Sequence, residues 1–529
     1  MSELTQRTYE RRWWTLAVLS LALAVISLDN MILNVALPTL VRDLNATSSQ
    51  LQWIVDSYVL VFAGLLLTAG ALGDRFGRKL ALMAGLGVFG VFSALAAMSD
   101  TANQLIATRA LMGIGGALIM PSTLSILTNV FPPAERAKAI GIWAAVNGLS
   151  IPLGPVLGGW LLEHYSWGSI FLINIPVVVV SLIAAAILVP ESRDAKALPL
   201  DPVGAVLSIA GLAALLYAII EAPAAGWTSG TTIAWFAVAA VTLGAFVLWE
   251  RRVPYPMFDT RLFKNPRFSA ASLSVTMVFF GLFGATFFLT QHMQFVLGFD
   301  TLQTGVRMIP VAVGVGIAAP LSARLTARFG SKVMVAAGLT VVALGLGLMS
   351  TATVESGYGL VATCMIVAGA GMGLAMTPAT DAVMGAVPKD NAGVGSAVND
   401  TTRQVGGALG VAVLGSLLAT NYSDAMRGPA STLPPEVTAV TRDSVGAALE
   451  VAAQLPDPAA ALALVNAARI AFIDAMGTTL VIGAGVTLVG AAIALLFLPA
   501  RAANEEATPE PVQAADEVEA PEEEPVLTL

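Results

Sequence analysis

The sequence predicts an all-α integral membrane protein of two related six-span halves with two further spans between them, fourteen transmembrane helices in a 6+2+6 arrangement. Three observations carry that prediction. The 529 residues are 56% hydrophobic and only 12% charged, with mean hydropathy +0.79, whereas soluble proteins carry roughly 25% charged residues. The apolar residues gather into fourteen runs, each long enough to cross a ~30 Å hydrocarbon core. Short blocks also recur in the same order, offset by 252–257 residues.

Span 1 covers 14–37. It follows Arg7, Arg11 and Arg12 and has no convincing small-residue cleavage site, so it reads as an uncleaved first span and not a signal peptide. Spans 2 and 3, 51–72 and 80–98, flank the turn Gly70-Ala-Leu-Gly-Asp-Arg-Phe-Gly-Arg-Lys79. Its charges, Asp74, Arg75, Arg78 and Lys79, require water, and Gly73 and Gly77 permit a sharp turn. Spans 4, 5 and 6 follow at 104–126, 138–161 and 168–189 and complete a first bundle, 1–190. Spans 7 and 8, 202–221 and 231–249, form an insert at 200–250. Spans 9–14 are read at 268–290, 302–323, 333–351, 358–381, 393–419 and 474–498, a second bundle within 267–499. The outer loop 420–473 is Ala/Pro-rich and mildly helical from Ala459. It is expected to be a flexible cap without function, since long loops are often merely tolerated. The tail 500–529 is expected to be disordered, and its acids account for the net charge of −8.

Basic residues set the orientation. With the N-terminus inside, cytoplasmic segments hold 20 Lys/Arg and outer loops four, Arg42, Arg427, Arg442 and Arg469. That bias puts both termini in the cytoplasm. The repeat has four witnesses. Arg75-Phe76-Gly77 answers Arg328-Phe329-Gly330, and Met120-Pro121 answers Met376-Thr377-Pro378. Pro133 to Ala137 answers Pro388 to Ala392, and Ala145-Val146-Asn147 answers Ala397-Val398-Asn399. Two like-oriented halves suggest a transporter that rocks about a central site.

Polar residues inside spans are costly, about 2.5–3.5 kcal/mol for a charge at mid-helix, so each is a candidate site. Asp29 in span 1 is the first choice for proton and cation handling. Asp56 and Arg109, near the outer ends of spans 2 and 4, are its expected partners; a static, helix-locking ion pair is the plainer alternative. Asp400 and Arg403, three apart in span 13, share a face and are expected to pair, with Gln404 one turn away. Asn34, Asn147, Asn399 and Arg307 are secondary candidates, Arg307 reaching the outer interface. Glu221 and Asp474 are expected to be wet, and His164 and His292, at outer span ends, are poor central proton carriers.

Span 5 carries Gly154, Pro155, Gly158 and Gly159, a packing seam or gate for which Gly314, Gly316, Ala318 and Ala319 of span 10 are an expected partner. Phe279, Phe280, Phe283, Phe287 and Phe288 of span 9 are expected to face lipid, with a stacking wall for an aromatic substrate as the sharper reading. Cys364 is the lone cysteine, so no intrachain disulfide can form. The sequence holds no phosphate-cradling loop, metal-ligand cluster or nucleophile triad. Enzyme function, cofactors, metal and nucleic-acid binding are therefore not expected, and energy must come from an ion gradient or the substrate's own.

At these residues the chain resembles the major facilitator superfamily, and within it the fourteen-span drug:proton antiporters of the EmrB/QacA type. Gly70-x-Leu72-x-Asp74-Arg75-x-Gly77-Arg78-Lys79 is similar to the superfamily's loop 2–3 signature. Leu28 to Pro38 resembles the span 1 signature of the subfamily. Arg109 to Gly113, with Gly115 and Gly116, looks like the span 4 block linked to proton coupling. Gly154-Pro155-x-x-Gly158-Gly159 is similar to the span 5 antiporter signature. The resemblance implies proton-coupled export of small hydrophobic or cationic substrates across a bacterial plasma membrane by a monomer. Geometry adds a gate: span 13 should start at the cytoplasmic face near Gly393, so its N-terminus presents a partial positive charge where Asp74 is expected to dock and hold the inner side shut, with the turn Asp74–Lys79 and the span 5 glycines as the gating elements. Rival readings are a dedicated exporter of a lipid, siderophore or antibiotic, a proton-coupled uptake carrier and a non-transporting sensor. The chain departs from the pattern at Ser150 and Ala327, has Gln404 where some members place an acid, and lacks an acid in span 10, which tells against export of divalent cations.

Overall fold

A computed structural model describes residues 3–193, 201–256, 260–385 and 392–498. Its described residues form helices and no strands, and thirteen helices are long and apolar enough to cross a membrane. The first half contains α1 (Glu3–Leu44), α2 (Ser48–Phe76), α3 (Arg78–Ala97), α4 (Ala102–Val130), α5 (Pro133–His164), and the sixth apolar run in two pieces, α6 (Ser169–Leu172) and α7 (Asn174–Leu188). Then come α8 (Pro202–Ala225) and α9 (Gly230–Glu250). The remainder comprises α10 (Pro266–Gln291), α11 (Thr301–Arg307), α12 (Ile309–Met349), α13 (Tyr358–Met384), α14 (Ala392–Ala425), α15 (Pro435–Asp443), α16 (Val445–Gln454) and α17 (Pro458–Phe497). The tail 500–529 lies outside the described residues.

Short polar residues start these helices by accepting the first free N–H groups. Thr47 and Gln50 form a reciprocal capping box on α2, and Thr101, Ser229, Asp300, Ser444 and Asp457 cap α4, α9, α11, α16 and α17. Between α2 and α3 the chain turns at Gly77, φ 122°. The run Thr301–Met349 contains the matching turn at Gly330, φ 82°, between the expected spans 10 and 11. At both turns an Arg guanidinium stacks on the next Phe ring, Arg75 on Phe76 at 5.7 Å and Arg328 on Phe329 at 5.4 Å.

The duplication extends into packing. Gly113 of α4 lies against the backbone of Tyr58 in α2, and Gly369 of α13 lies against the backbone of Val311 in α12. Small residues let the helices approach backbone to backbone, where lipid-facing hydrophobic driving force is absent. The phenylalanines of α10 depart from expectation. Phe280, Phe287 and Phe288 are buried in the protein interior and do not face lipid. Glu221 is not simply wet either: its Oε1 accepts from Ser49 Oγ at 2.6 Å and Trp53 Nε1 at 3.3 Å.

The 420–473 stretch is a helical lid and not an open flexible cap. Within it Tyr422 Oη donates to Thr441 O at 3.3 Å and Arg442 Nε to Ser423 O at 3.2 Å, and Arg469 Nε donates to Phe295 O at 3.0 Å, which ties the lid to the end of the α10 span. It also reaches the first half. Gly446 fits between Phe295 and Val41 of α1, and Asp443 bonds to Ser48 at the start of α2.

On this lid face the two halves touch directly. Gln294 Nε2 donates to Val35 O at 3.0 Å, Ser416 Oγ to Gln52 Oε1 at 3.1 Å and Thr301 Oγ1 to Gly159 O at 3.2 Å. Toward the opposite face, which carries the Asp74 turn, they separate. Gly141, Gly148 and Gly159 lie close to one stripe of α5, because 11 residues make about three helical turns. Gly159 meets Thr301 and Leu302, whereas a Cβ on Gly148 or Gly141 would meet nothing within 4 Å. On the other side Gly305 meets Pro155 and Gly316 meets nothing. The contacts between the halves among the described residues therefore gather at the lid face, and Gly141, Gly148 and Gly316, toward the Asp74 face, have open space beside them.

Candidate functional site

Four helices of the first half bring their polar residues together in its interior. Asp29 of α1 is 2% exposed and Arg109 of α4 is fully buried. They form an ion pair, Arg109 Nη1 to Asp29 Oδ2. Arg109 Nε donates to Ile54 O at 3.3 Å, and its guanidinium lies 4.4 Å from the centre of the Tyr58 ring. The pair is held against α2 by a carbonyl and an aromatic face. Its second terminal nitrogen, Nη2, has no hydrogen-bond partner among the described residues.

The other Asp29 oxygen is also committed. Asn174, the first residue of α7, donates from Nδ2 to Asp29 Oδ1 at 2.9 Å and to Ser93 Oγ of α3 at 2.9 Å. Ser93 Oγ in turn donates to Phe171 O at 2.9 Å. All these side chains are buried. Sequence reasoning did not single out Asn174 or Ser93. The signal was present for Asn174: one amide inside the run Phe171-Leu-Ile-Asn-Ile-Pro-Val-Val, where an unpaired polar group is costly.

Asp56 does not join this cluster, contrary to the expectation of one Arg near two acids. It is fully buried, and neither carboxylate oxygen has a hydrogen-bond partner among the described residues. Gln52, one turn earlier on the same face of α2, accepts from Ser416 of α14. Asp56 thus lies on the face of α2 turned to the second half, away from the face that offers Ile54 O to Arg109.

Asp400 and Arg403 of α14 pair loosely, 3.6 Å apart and partly exposed. Arg403 Nη2 also donates to Thr380 Oγ1 at 3.3 Å, and its guanidinium lies 5.8 Å from the Phe279 ring, which leans on Phe283. Asn399 is buried with its Oδ1 unpartnered among the described residues. Gln404 is half-buried beside them in sequence. Arg307, the last residue of α11, stacks 4.1 Å over Phe299. Asn34 donates to Asn30 O at 3.1 Å within α1, and the Asn147 side chain lies outside the described residues. His292, directly after the last residue of α10, is fully buried, and neither ring nitrogen has a partner among the described residues.

In the charged turn, Asp74 Oδ1 accepts from Arg78 Nε at 2.7 Å, Lys79 Nζ donates to Ala186 O at 2.8 Å, and Arg78 N donates to Ser192 O at 2.9 Å. These bonds tie the turn to the end of α7. Residues 386–391 and the side chains of 392–397 lie outside the described residues, including Gly393, the expected dock for Asp74. Nearby, Arg12 Nε pairs with Glu135 Oε2 at 2.8 Å and holds the Glu135 carboxyl below the usual carboxylate range. The gate glycines of α5 contact α1 and α11: Gly154 and Gly158 meet Met31 and Ile32, and Gly159 meets Thr301. The expected partner stretch 314–319 is not their neighbour. Gly314 packs instead on Ile366 and Gly369 of α13.

Both carboxylate oxygens of Asp29 are engaged, one by a guanidinium and one by an amide, so any change in its bonding means loosening at least one of those contacts. No group of three or more His, Cys, Asp or Glu among the described residues is placed to hold a metal ion.

Comparison with known proteins adds the following. Residues 19–411 match the family described as Major Facilitator Superfamily. The chain is 38% identical over 490 residues to the multidrug efflux pump LfrA of Mycolicibacterium smegmatis, covering 92% of this chain and 97% of that protein. It is 33% identical over 493 residues to the tetracenomycin C resistance and export protein of Streptomyces glaucescens, covering 92% and 91%. Among solved structures, a bacterial homologue of the human lysosomal transporter Spinster in an inward-facing, unoccupied conformation superposes with TM-score 0.64 at 17% identity, covering 92% of this chain and 98% of that one.

Proposed function

The chain belongs to the Major Facilitator Superfamily, a multi-pass membrane transporter, and from that premise we propose that it exports hydrophobic compounds, cations among them, in exchange for protons. The relatives named as a multidrug efflux pump and as an antibiotic resistance and export protein support the direction. In this reading the Thr301–Met349 run is two spans joined at Gly330, which makes fourteen crossings arranged 6+2+6. The termini and the Asp74 turn lie in the cytoplasm of a bacterium, and the protein works as a monomer in its plasma membrane.

The observation that carries the reading is the buried Asp29–Arg109 pair in a molecule whose halves are bonded to each other at the lid face, which we read as the state open toward the Asp74 face. Asp29 is then ionised while the cytoplasmic side is open, so its proton has already left inward and cargo can enter. When the lid face opens, Asp29 takes a proton from outside, the carboxylate becomes a carboxylic acid, and the pair with Arg109 loosens while Arg109 keeps its own charge. Return to the open cytoplasmic side releases that proton down its gradient. Asp56, buried on the face turned to the second half, is a second proton carrier in this scheme. Asp400, beside Phe279 and Arg403, borders the cargo path. The Asp74–Lys79 turn and the α5 glycines gate the two sides.

Dye uptake into inverted vesicles under an imposed pH gradient tests this. The wild type should accumulate dye only with the gradient present, and Asp29→Asn should abolish the gradient-dependent part. Gradient-driven pumping by Asp29→Asn at the wild-type rate would overturn the proton assignment. One observation favours a narrower reading, a dedicated exporter: a relative named for a single antibiotic, tetracenomycin C. A resistance profile across unrelated toxic compounds separates the two, since a dedicated exporter protects against one chemical class only.

A further inference from the structure

We infer that Asn174 is the positioning residue of the proton site: with Ser93 behind it, it fixes the second oxygen of Asp29 and so sets how readily that carboxylate takes a proton. The inference rests on the proposed proton exchange and deepens it. Both N–H groups of the Asn174 amide are used, one on Asp29 Oδ1 and one on Ser93 Oγ, each at 2.9 Å. Ser93 is itself anchored by donating to Phe171 O at 2.9 Å, so the chain of bonds ends on backbone and cannot swing. Asn174, Ser93 and Asp29 are all at least nine-tenths buried, so no water competes for these bonds.

The amide carries no titratable proton and stays a donor at every pH. It therefore favours the charged carboxylate, which accepts on both oxygens, over the acid, in which one oxygen carries the proton. The two holds on Asp29 also differ in reach. Arg109 comes from α4 and Asn174 from α7, so a shift of α1 relative to either helix loosens one bond at a time. Asp29 can then bind a proton on one oxygen while the other stays in place. Asn174 and Arg109 together make a two-point clasp, and the Asn174 arm is the one that keeps the carboxylate oriented when Arg109 lets go.

The test is infrared titration of the purified full-length protein in detergent, which needs no transport. The protonated-carboxyl band that Asp29→Asn removes is assigned to Asp29, and its appearance is followed against pH. Hydrogen bonds to a charged group contribute about 1.5–3 kcal/mol, so Asn174→Leu should protonate Asp29 at a proton concentration roughly tenfold lower or more, and the band should shift in frequency. Ser93→Ala, which leaves the amide but removes its anchor, should move the midpoint the same way by less. An unchanged midpoint in folded Asn174→Leu overturns the inference. If that variant does not fold, an unchanged midpoint in Ser93→Ala overturns it. Failure of gradient-driven dye transport in the wild type would sink the proton-exchange reading but would leave this titration to be judged separately.

Discussion

Asp443 in the lid takes the place of a helix cap for Ser48 on the other half of the protein. Its Oδ2 accepts from Ser48 N at 2.9 Å, and Ser48 Oγ donates to the Asp443 carbonyl at 2.7 Å. Ser48 is the first residue of α2, so its N–H has no partner within the helix. The partial positive charge of the helix start adds to the attraction. A small cavity of about 20 Å³, lined by Ser48, Gln52, Gln291, Tyr422 and Asp443, lies beside the contact. Any motion that parts the lid from α2 must break both bonds.

The docked lid should therefore respond to pH. Burial pushes the Asp443 carboxyl above its ordinary value of 3.8, with the Ser48 bonds partly opposing it. A carboxyl raised in the docked state contributes to docking below its ordinary value and loses that contribution as pH rises through the raised one. Lid docking should weaken as pH rises through the raised value, which lies above 3.8, and Asp443→Asn should remove the dependence. Maleimide labelling of Ala448→Cys, a buried lid position, with Cys364 replaced by Ser, reports release. The ratio of its rate to that in the Asp443→Asn background should climb across this range; a flat ratio contradicts the assignment.

A buried ion pair makes each partner costly to remove alone. Arg109→Met leaves Asp29 charged and uncompensated, and Asp29→Leu does the same to Arg109; each should lower stability by about 3–5 kcal/mol. The double variant removes both charges and should be more stable than the two single effects added together predict. Unfolding of purified protein in detergent measures all four species. Additive losses would mean that the two side chains act independently despite their contact.

The all-helical membrane fold was legible because a membrane imposes long apolar runs, and Asp29 and Arg109 stood out because charge in such a run is expensive. Their partner Asn174 was less visible, since an amide costs less than a charge and disturbs the apolar pattern of its run only slightly. Asp56 shows the limit of linear reading. Its depth was apparent, but which face of α2 it occupies depends on α14, more than 350 residues away in the contact Gln52–Ser416. The lid was misread for a different reason. Its Ala/Pro composition reads as loop, although Ser444 and Asp457-Pro458 are helix-start signals, and Gly446 on it is covered through tertiary contact with Val41 of α1 and Phe295. The partner of the α5 glycines was placed on the wrong part of span 10 because small residues mark close packing without saying against what.

The glycine stripes of α5 and the α11–α12 run give the lid face and the Asp74 face opposite dependence on side-chain size. A Cβ on Gly305 would intrude on the carbonyl of Pro155, a rigid backbone obstacle, and overpacking of this kind costs about 1–3 kcal/mol. That cost falls only on the state with the lid face shut, so Gly305→Ala should shift the population toward an open lid face by about tenfold. Gly316 is open in the present state, so Gly316→Val costs nothing here. If the halves rock, the Asp74 side must close, and that stretch of the run comes against α5 in turn. The same added bulk then opposes the other state and should hold the molecule as it is seen here. Spin labels report both sides: Glu163→Cys with Gln303→Cys across the lid face, and Lys138→Cys with Arg324→Cys across the Asp74 face. Gly305→Ala should lengthen the first distance and shorten the second, and Gly316→Val should leave both at their present values even when cargo is added. Identical distance distributions for both variants would mean that the glycines serve packing within a fixed state, and that the rocking axis lies elsewhere.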